Sequence, residues 1–236
     1  GAGGRVEFEI APDVHAGLTA LARESGTTTF MVLHTALAVF LARMSNSTDI
    51  AVGTAIAGRG DAALDDVIGM FVNTLVLRTA VHPNKGFDGM LADVREVDLA
   101  AFAHADIPFE RLVDLLDPER SASRHPLFQV AIAFENLPPS TFALPGLEVS
   151  AVDLDVETAK FDLSLTLRES DGGGMSAAWL YSRDLFDEAT IAGFADRFRR
   201  LLDGVVADPS TPVGDLGILY DDEYDRLTHV HGDEVL

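Results

Sequence analysis

The sequence has no cysteine, which removes disulfide frameworks, thiolate zinc sites and cysteine nucleophiles together. It has little positive charge: 17 Lys and Arg stand against 38 Asp and Glu, a formal net charge of -21. Duplex affinity comes mainly from cations that neutralise phosphates, so a nucleic-acid binder is excluded, and an anionic membrane surface would repel such a chain. No stretch approaches the roughly 20 apolar residues of a membrane span. The start, Gly1-Ala2-Gly3-Gly4, lacks the basic and apolar regions of a secretion signal, so the cytoplasm is the expected compartment. None of the seven histidines is adjacent to another, and HExxH, GKS, GxGxxG and GxSxG are all absent. No zinc helix, phosphate loop or hydrolase elbow is therefore expected, and no metal.

What is present is a globular composition, 47% apolar and 23% charged, with strand and helix patterns that alternate before strands cluster late. Residues 5–10 alternate as a half-buried strand. Pro12 opens a helix that ends at Gly26, with Val14, Leu18 and Leu21 on one face. A second helix begins among Thr27, Thr28 and Thr29, with Leu33, Leu37, Phe40, Leu41 and Met44 forming one apolar stripe. Strands are expected at 50–56 and at 70–81, the second β-branched and read as long and buried. Helices follow at 87–103 and, after Pro108, at 109–116. Further strands fall at 127–134, 147–156, 161–168 and 175–181, the last two joined by a hairpin at Asp171-Gly172-Gly173-Gly174. The last helix spans 187–206. The economical reading is an α/β fold, one mixed β-sheet flanked by helices. Residues 220–236 lose periodicity and read as a linker toward a following domain.

Three segments carry a resemblance. IGMFVNTLVLR at 68–78, HADIPFERLV at 104–113 and SRHPLFQV at 123–130 resemble, in order, the motifs IGxFVNTxxxR, HxxxPFExLV and SRxPLFQV of the condensation domains of nonribosomal peptide synthetases. VGT at 52–54 with AGR at 57–59, and TAKFDL at 158–163, are similar to weaker signatures of that family. The resemblance runs over most of residues 5–219 but departs from the family in one respect. The HHxxxDG motif of the family's N-terminal half is missing, as is the aromatic motif YxDFxxW that precedes this region. The chain is thus identified as resembling the C-terminal lobe alone (1–219), similar to one chloramphenicol acetyltransferase-like lobe with an extended crossover segment.

The resemblance implies two lobes around a tunnel, entered from opposite ends by the phosphopantetheine arms of a donor and an acceptor peptidyl carrier protein. It implies amide formation between the groups they carry, no cofactor bound directly, and an adenylation domain after the linker. Without HHxxxDG no catalytic residue is expected here and the chain alone should be inactive; the alternative is a non-catalytic platform that docks carrier proteins or a tailoring enzyme. Tunnel-lining candidates are Asn136, just past the strand at 127–134, together with Asn73 and the Gly58-Arg59 turn. Asn73 lies mid-strand, where a buried amide must be hydrogen-bonded, so it either pins a neighbouring loop or faces the tunnel. Arg78 is expected to bridge strand to loop, His104 to cap a helix, and Pro108 and Phe109 to form a rigid turn and a core anchor. Arg124 is expected to pair with Glu110 or Asp114, and Lys160 and Asp162 to form an ion pair closing the crossover.

Overall fold

The N-terminal alternation forms β1 (Gly3–Ile10), and Pro12, which needs no backbone donor at a first helical position, starts α1 (Pro12–Glu24). This computed structural model describes residues 2–57, 67–69, 71–118, 124–135, 158–170, 172–220 and 223–225. The threonine cluster caps the next helix: the Thr28 hydroxyl accepts the Met31 N–H at 3.2 Å, opening α2 (Thr29–Ser45). Then come β2 (Asp49–Ala57), β3 (Val72–Ala80), α3 (Phe87–Ala103) and α4 (Phe109–Leu116). They are followed by β4 (Val130–Glu135), β5 (Leu163–Glu169), β6 (Met175–Ser182) and α5 (Glu188–Ala207). The carboxylate of Asp187 accepts the Thr190 N–H at 2.7 Å and caps α5. The strand expected at 147–156 lies outside the described residues.

The six described strands form one sheet in the order β1-β6-β5-β4-β2-β3. Its centre, β2-β4-β5, is parallel and its outer pairs are antiparallel, so this is a mixed α/β sheet as expected. Helices α1, α2, α3 and α5 pack on one face. Between sheet and helices lies an aromatic core in which Trp179, Phe40 and Phe198 stand with ring centroids 5.7–5.9 Å apart. Among the described residues no single helix is long and apolar enough to cross a membrane.

Two expectations need correction. The residues expected to give α2 a single apolar stripe instead belong to a helix buried nearly all round: every side chain from Met31 to Phe40 is buried, while Met44 is 37% exposed. The cause is position, since α1, α3, α5 and β2 all pack against it, and small Thr35, Ala36 and Ala38 let them approach. The strand read as long and buried, β3, is at the edge of the sheet among the described strands; it buries Leu75, Leu77 and Thr79 and exposes Val72, Arg78 and Ala80. Its β-branched content fits any half-buried pleat and does not distinguish centre from edge.

His34 on α2 is a buried polar residue within this core. Its side chain is fully buried, with Nδ1 2.9 Å from the carboxyl group of Asp98 on α3 and Nε2 without a hydrogen-bond partner among the described residues.

Candidate functional site

Because strand residues alternate between faces, the sheet side opposite the helices can be read directly from the register. Along the middle of the three parallel strands this face carries only small residues. Gly53 pairs with Ala131, which pairs with Ser164, and Ala133 pairs with Thr166 one step further on. The sheet surface is therefore recessed into a trough of about 360 Å³, walled by Phe128 and Phe161 and rimmed by Thr158, Ala159 and Lys160. Beyond it the same face turns charged, with Arg5 beside Glu7 and Arg168 paired with Glu135.

The quoted motifs converge at this end of the sheet. Phe109, His125, Phe128 and Phe161 form an aromatic cluster in which the His125 ring lies 4.1 Å from Phe128, 5.1 Å from Phe109 and 5.2 Å from Phe161. Asn73 ties the next motif to it. Its amide donates to the carbonyls of Ala105 at 2.9 Å and Ile107 at 2.8 Å, and its Oδ1 accepts the N–H groups of Phe109 at 3.1 Å and Thr74 at 2.8 Å. The amide thus has four partners, three of them at the turn between α3 and α4 and one on its own strand. Pro108 stands at the cap of α4, where its fixed φ of -60° suits a helix start. His104 caps α3 through its backbone N–H, which donates to the Ala101 carbonyl at 3.1 Å.

Arg78 pairs with Asp49 of the neighbouring strand through two hydrogen bonds, 2.8 and 2.6 Å, rather than with a loop. The guanidinium holds the Asp49 carboxyl below the usual carboxylate range. The expected ion pairs of Arg124 with Glu110 or Asp114, and of Lys160 with Asp162, are not formed among the described residues. Arg124 and Lys160 are exposed, where a pair gains little over hydration. Asp162 is held by backbone instead: its N–H donates to the Gln129 carbonyl at 3.1 Å and its carbonyl accepts from the Ser182 N–H at 3.0 Å. Asn136, Gly58 and Arg59 lie outside the described residues. Among the described residues no cluster of His, Asp or Glu is arranged to hold a metal ion.

Sequence reasoning did not single out Gly53, His125 or Phe128. The available signal was the glycine itself, since a glycine inside a strand marks close approach by another group.

Burial among the rings pushes the His125 pKa below its ordinary value, with the Phe128 backbone pulling partly the other way. A lowered folded-state pKa means that the unfolded chain takes up the proton first. The stabilisation is complete above about pH 6.5 and is lost as pH falls from there toward the folded pKa. Wild-type stability in urea is therefore expected to fall more steeply from pH 7 to pH 5 than that of His125→Phe. Parallel slopes would show that His125 does not contribute.

The family model for the condensation domain matches residues 2–228. The chain is 44% identical over 230 residues to the dimodular nonribosomal peptide synthase of Bacillus subtilis (strain 168), covering 95% of this chain and 10% of that protein. Its fold matches a four-domain nonribosomal peptide synthetase bound to AMP and glycine with a TM-score of 0.87 at 23% identity, over 94% of this chain and 18% of that one. It also matches the first condensation domain of the CDA synthetase with a TM-score of 0.74 at 21% identity, over 93% of this chain and 48% of that one. The chain therefore spans a tenth of its curated relative and about half of that solved condensation domain. By motif order, fold and family match, it belongs to the condensation-domain family of nonribosomal peptide synthetases.

Proposed function

We propose that this chain is the C-terminal lobe of a condensation domain that joins two carrier-bound acyl groups through an amide. The observation that carries this reading is the trough: a recessed, mostly apolar floor on the sheet face opposite the helices, framed by Gly53, Thr74, Phe128 and Phe161 from four of the quoted segments. In the reaction, the acceptor amine nitrogen attacks the donor thioester carbonyl. A C–N bond forms, the C–S bond breaks, and the proton lost by the amine ends on the leaving thiolate.

This chain has no adjacent histidines, so groups that move the proton come from an N-terminal lobe bearing HHxxxDG. The residues described here provide space and shielding. The Gly53-Ala131-Ser164 row leaves room for an extended group, and Phe128 and Phe161 keep water from one side of the thioester. Donor and acceptor carrier proteins would deliver the groups on phosphopantetheine arms. Residues 1–219 would form the lobe and 220–236 would lead toward an adenylation domain. The start of that stretch is fastened to the lobe, with Arg200 stacked 4.5 Å over the Tyr220 ring and Glu223 2.5 Å from Arg197.

The test compares this chain with the two-lobed protein that includes an N-terminal lobe, each supplied with two loaded carrier proteins, with product read by mass spectrometry. Amide is expected from the two-lobed protein and none from this chain. Amide from this chain alone would overturn the division of labour between lobes. No amide from a two-lobed protein with intact HHxxxDG would favour a non-catalytic docking platform instead.

A further inference from the structure

We infer that Gly53 and the Phe128 ring lying on it set the depth of the trough and so select the size of the carrier-bound group it admits; this rests on the amide-forming reading above. Gly53 is buried in an interior strand of the sheet. A Cβ built on it would fall 2.1, 2.2 and 2.6 Å from three atoms of the Phe128 ring. The ring thus occupies the space in which any other residue would carry its side chain. It is 1% exposed, with His125 at 4.1 Å, Phe161 at 5.1 Å and Phe109 at 6.0 Å between ring centroids.

Three rings therefore hem Phe128, and the space left to it is the trough above Ala131 and Ser164, the residues next in register to Gly53. Glycine keeps the ring drawn back against the sheet. A methyl group at position 53 drives it forward over the row of small residues and makes the trough shallower. A shallower trough still admits a glycyl or alanyl group and rejects a bulky one, as one methylene in an apolar site discriminates by about 10- to 200-fold.

The test uses the full-length synthetase that contains this lobe. Donors loaded with glycyl, leucyl or phenylalanyl groups are compared against a constant acceptor, and acceptors so loaded against a constant donor. In one of the two series, Gly53→Ala is expected to lower kcat/KM for phenylalanyl relative to glycyl by about tenfold or more. Phe128→Leu is expected to shift the ratio the opposite way, and Gly53→Ala/Phe128→Leu to return it toward the wild-type value. Phe128→Leu adds no atom to the sheet and carries the test alone if Gly53→Ala does not accumulate as folded protein. Ratios unchanged in both series, or a uniform loss for every group, would overturn the size rule while leaving amide formation standing. A wild-type enzyme that makes no amide with any pair would overturn both.

Discussion

Asp98→Ala is expected to destabilise this chain by about 3–5 kcal/mol, the cost of breaking a buried polar pair by removing one partner. Asp98 on α3 and His34 on α2 have fully buried side chains 2.9 Å apart. The His34 ring is stacked against Phe30 with centroids 6.2 Å apart, and its Nε2 already lacks a hydrogen-bond partner among the described residues. Removing the carboxyl group leaves Nδ1 orphaned as well, in a place that water does not reach. Most of the penalty is the desolvation of that orphaned nitrogen, and the missing hydrogen bond is the smaller part. His34→Phe/Asp98→Leu, which replaces both with apolar groups of similar volume, is therefore expected to recover more than half of the loss. Urea unfolding of His34→Phe, Asp98→Leu and the double variant measures the coupling. Single changes below about 1 kcal/mol that simply add would sink the argument. A His–Asp pair has the look of catalytic machinery, but with neither side chain exposed no substrate can touch it.

Asn73→Ala is expected to cost about 1.5–3 kcal/mol, because it removes the hydrogen bonds that hold the α3–α4 turn to the edge strand while water can reach part of the vacated space. Asn73→Asp is the sharper variant. A carboxylate can still accept from the Phe109 and Thr74 N–H groups, but it faces the carbonyls of Ala105 and Ile107 with no donor. It is expected to be at least as damaging as alanine, and faster hydrogen exchange at the Phe109 amide would report the freed turn. Wild-type stability in Asn73→Asp would mean that the two donated bonds do not hold the turn.

Local features were legible in the sequence wherever the chain punctuates itself. The bounds of α3 and α4 follow from His82-Pro83-Asn84 before one and Pro108 before the other, residues that fix or forbid particular backbone angles. What surrounds an element was not legible. That α2 is enclosed on nearly all sides, and that β3 lies at an edge of the described sheet, depend on a strand order in which β1 joins β6 and β2 joins β4. The candidate site divides in the same way. Asn73 announced that it needed partners, because an amide in an apolar strand must be satisfied, although three of its four partners lie more than thirty residues away. Gly53 carried a signal of close approach that went unread, and only the fold shows that the approaching group is Phe128. The ion pair expected for Lys160 and Asp162 rested on proximity in sequence alone, and backbone hydrogen bonds to Gln129 and Ser182 hold Asp162 in its place.

Among the described strands, the first meets its one partner near the end of the chain, Ile10 opposite Met175 and Gly3 opposite Ser182. At a synthesis rate of about 5–20 residues per second, β1 waits roughly 8–35 s for β6 to be made. Throughout that interval a strand with alternating apolar residues has unpaired backbone groups on both edges, open to pairing with any other chain nearby. Closure of the sheet is accordingly a late and slow event, set by a pairing of very long sequence separation. The charged outward row of Arg5, Glu7 and Glu9 then acquires a role in time as well as in space: it keeps the waiting strand soluble until its partner arrives.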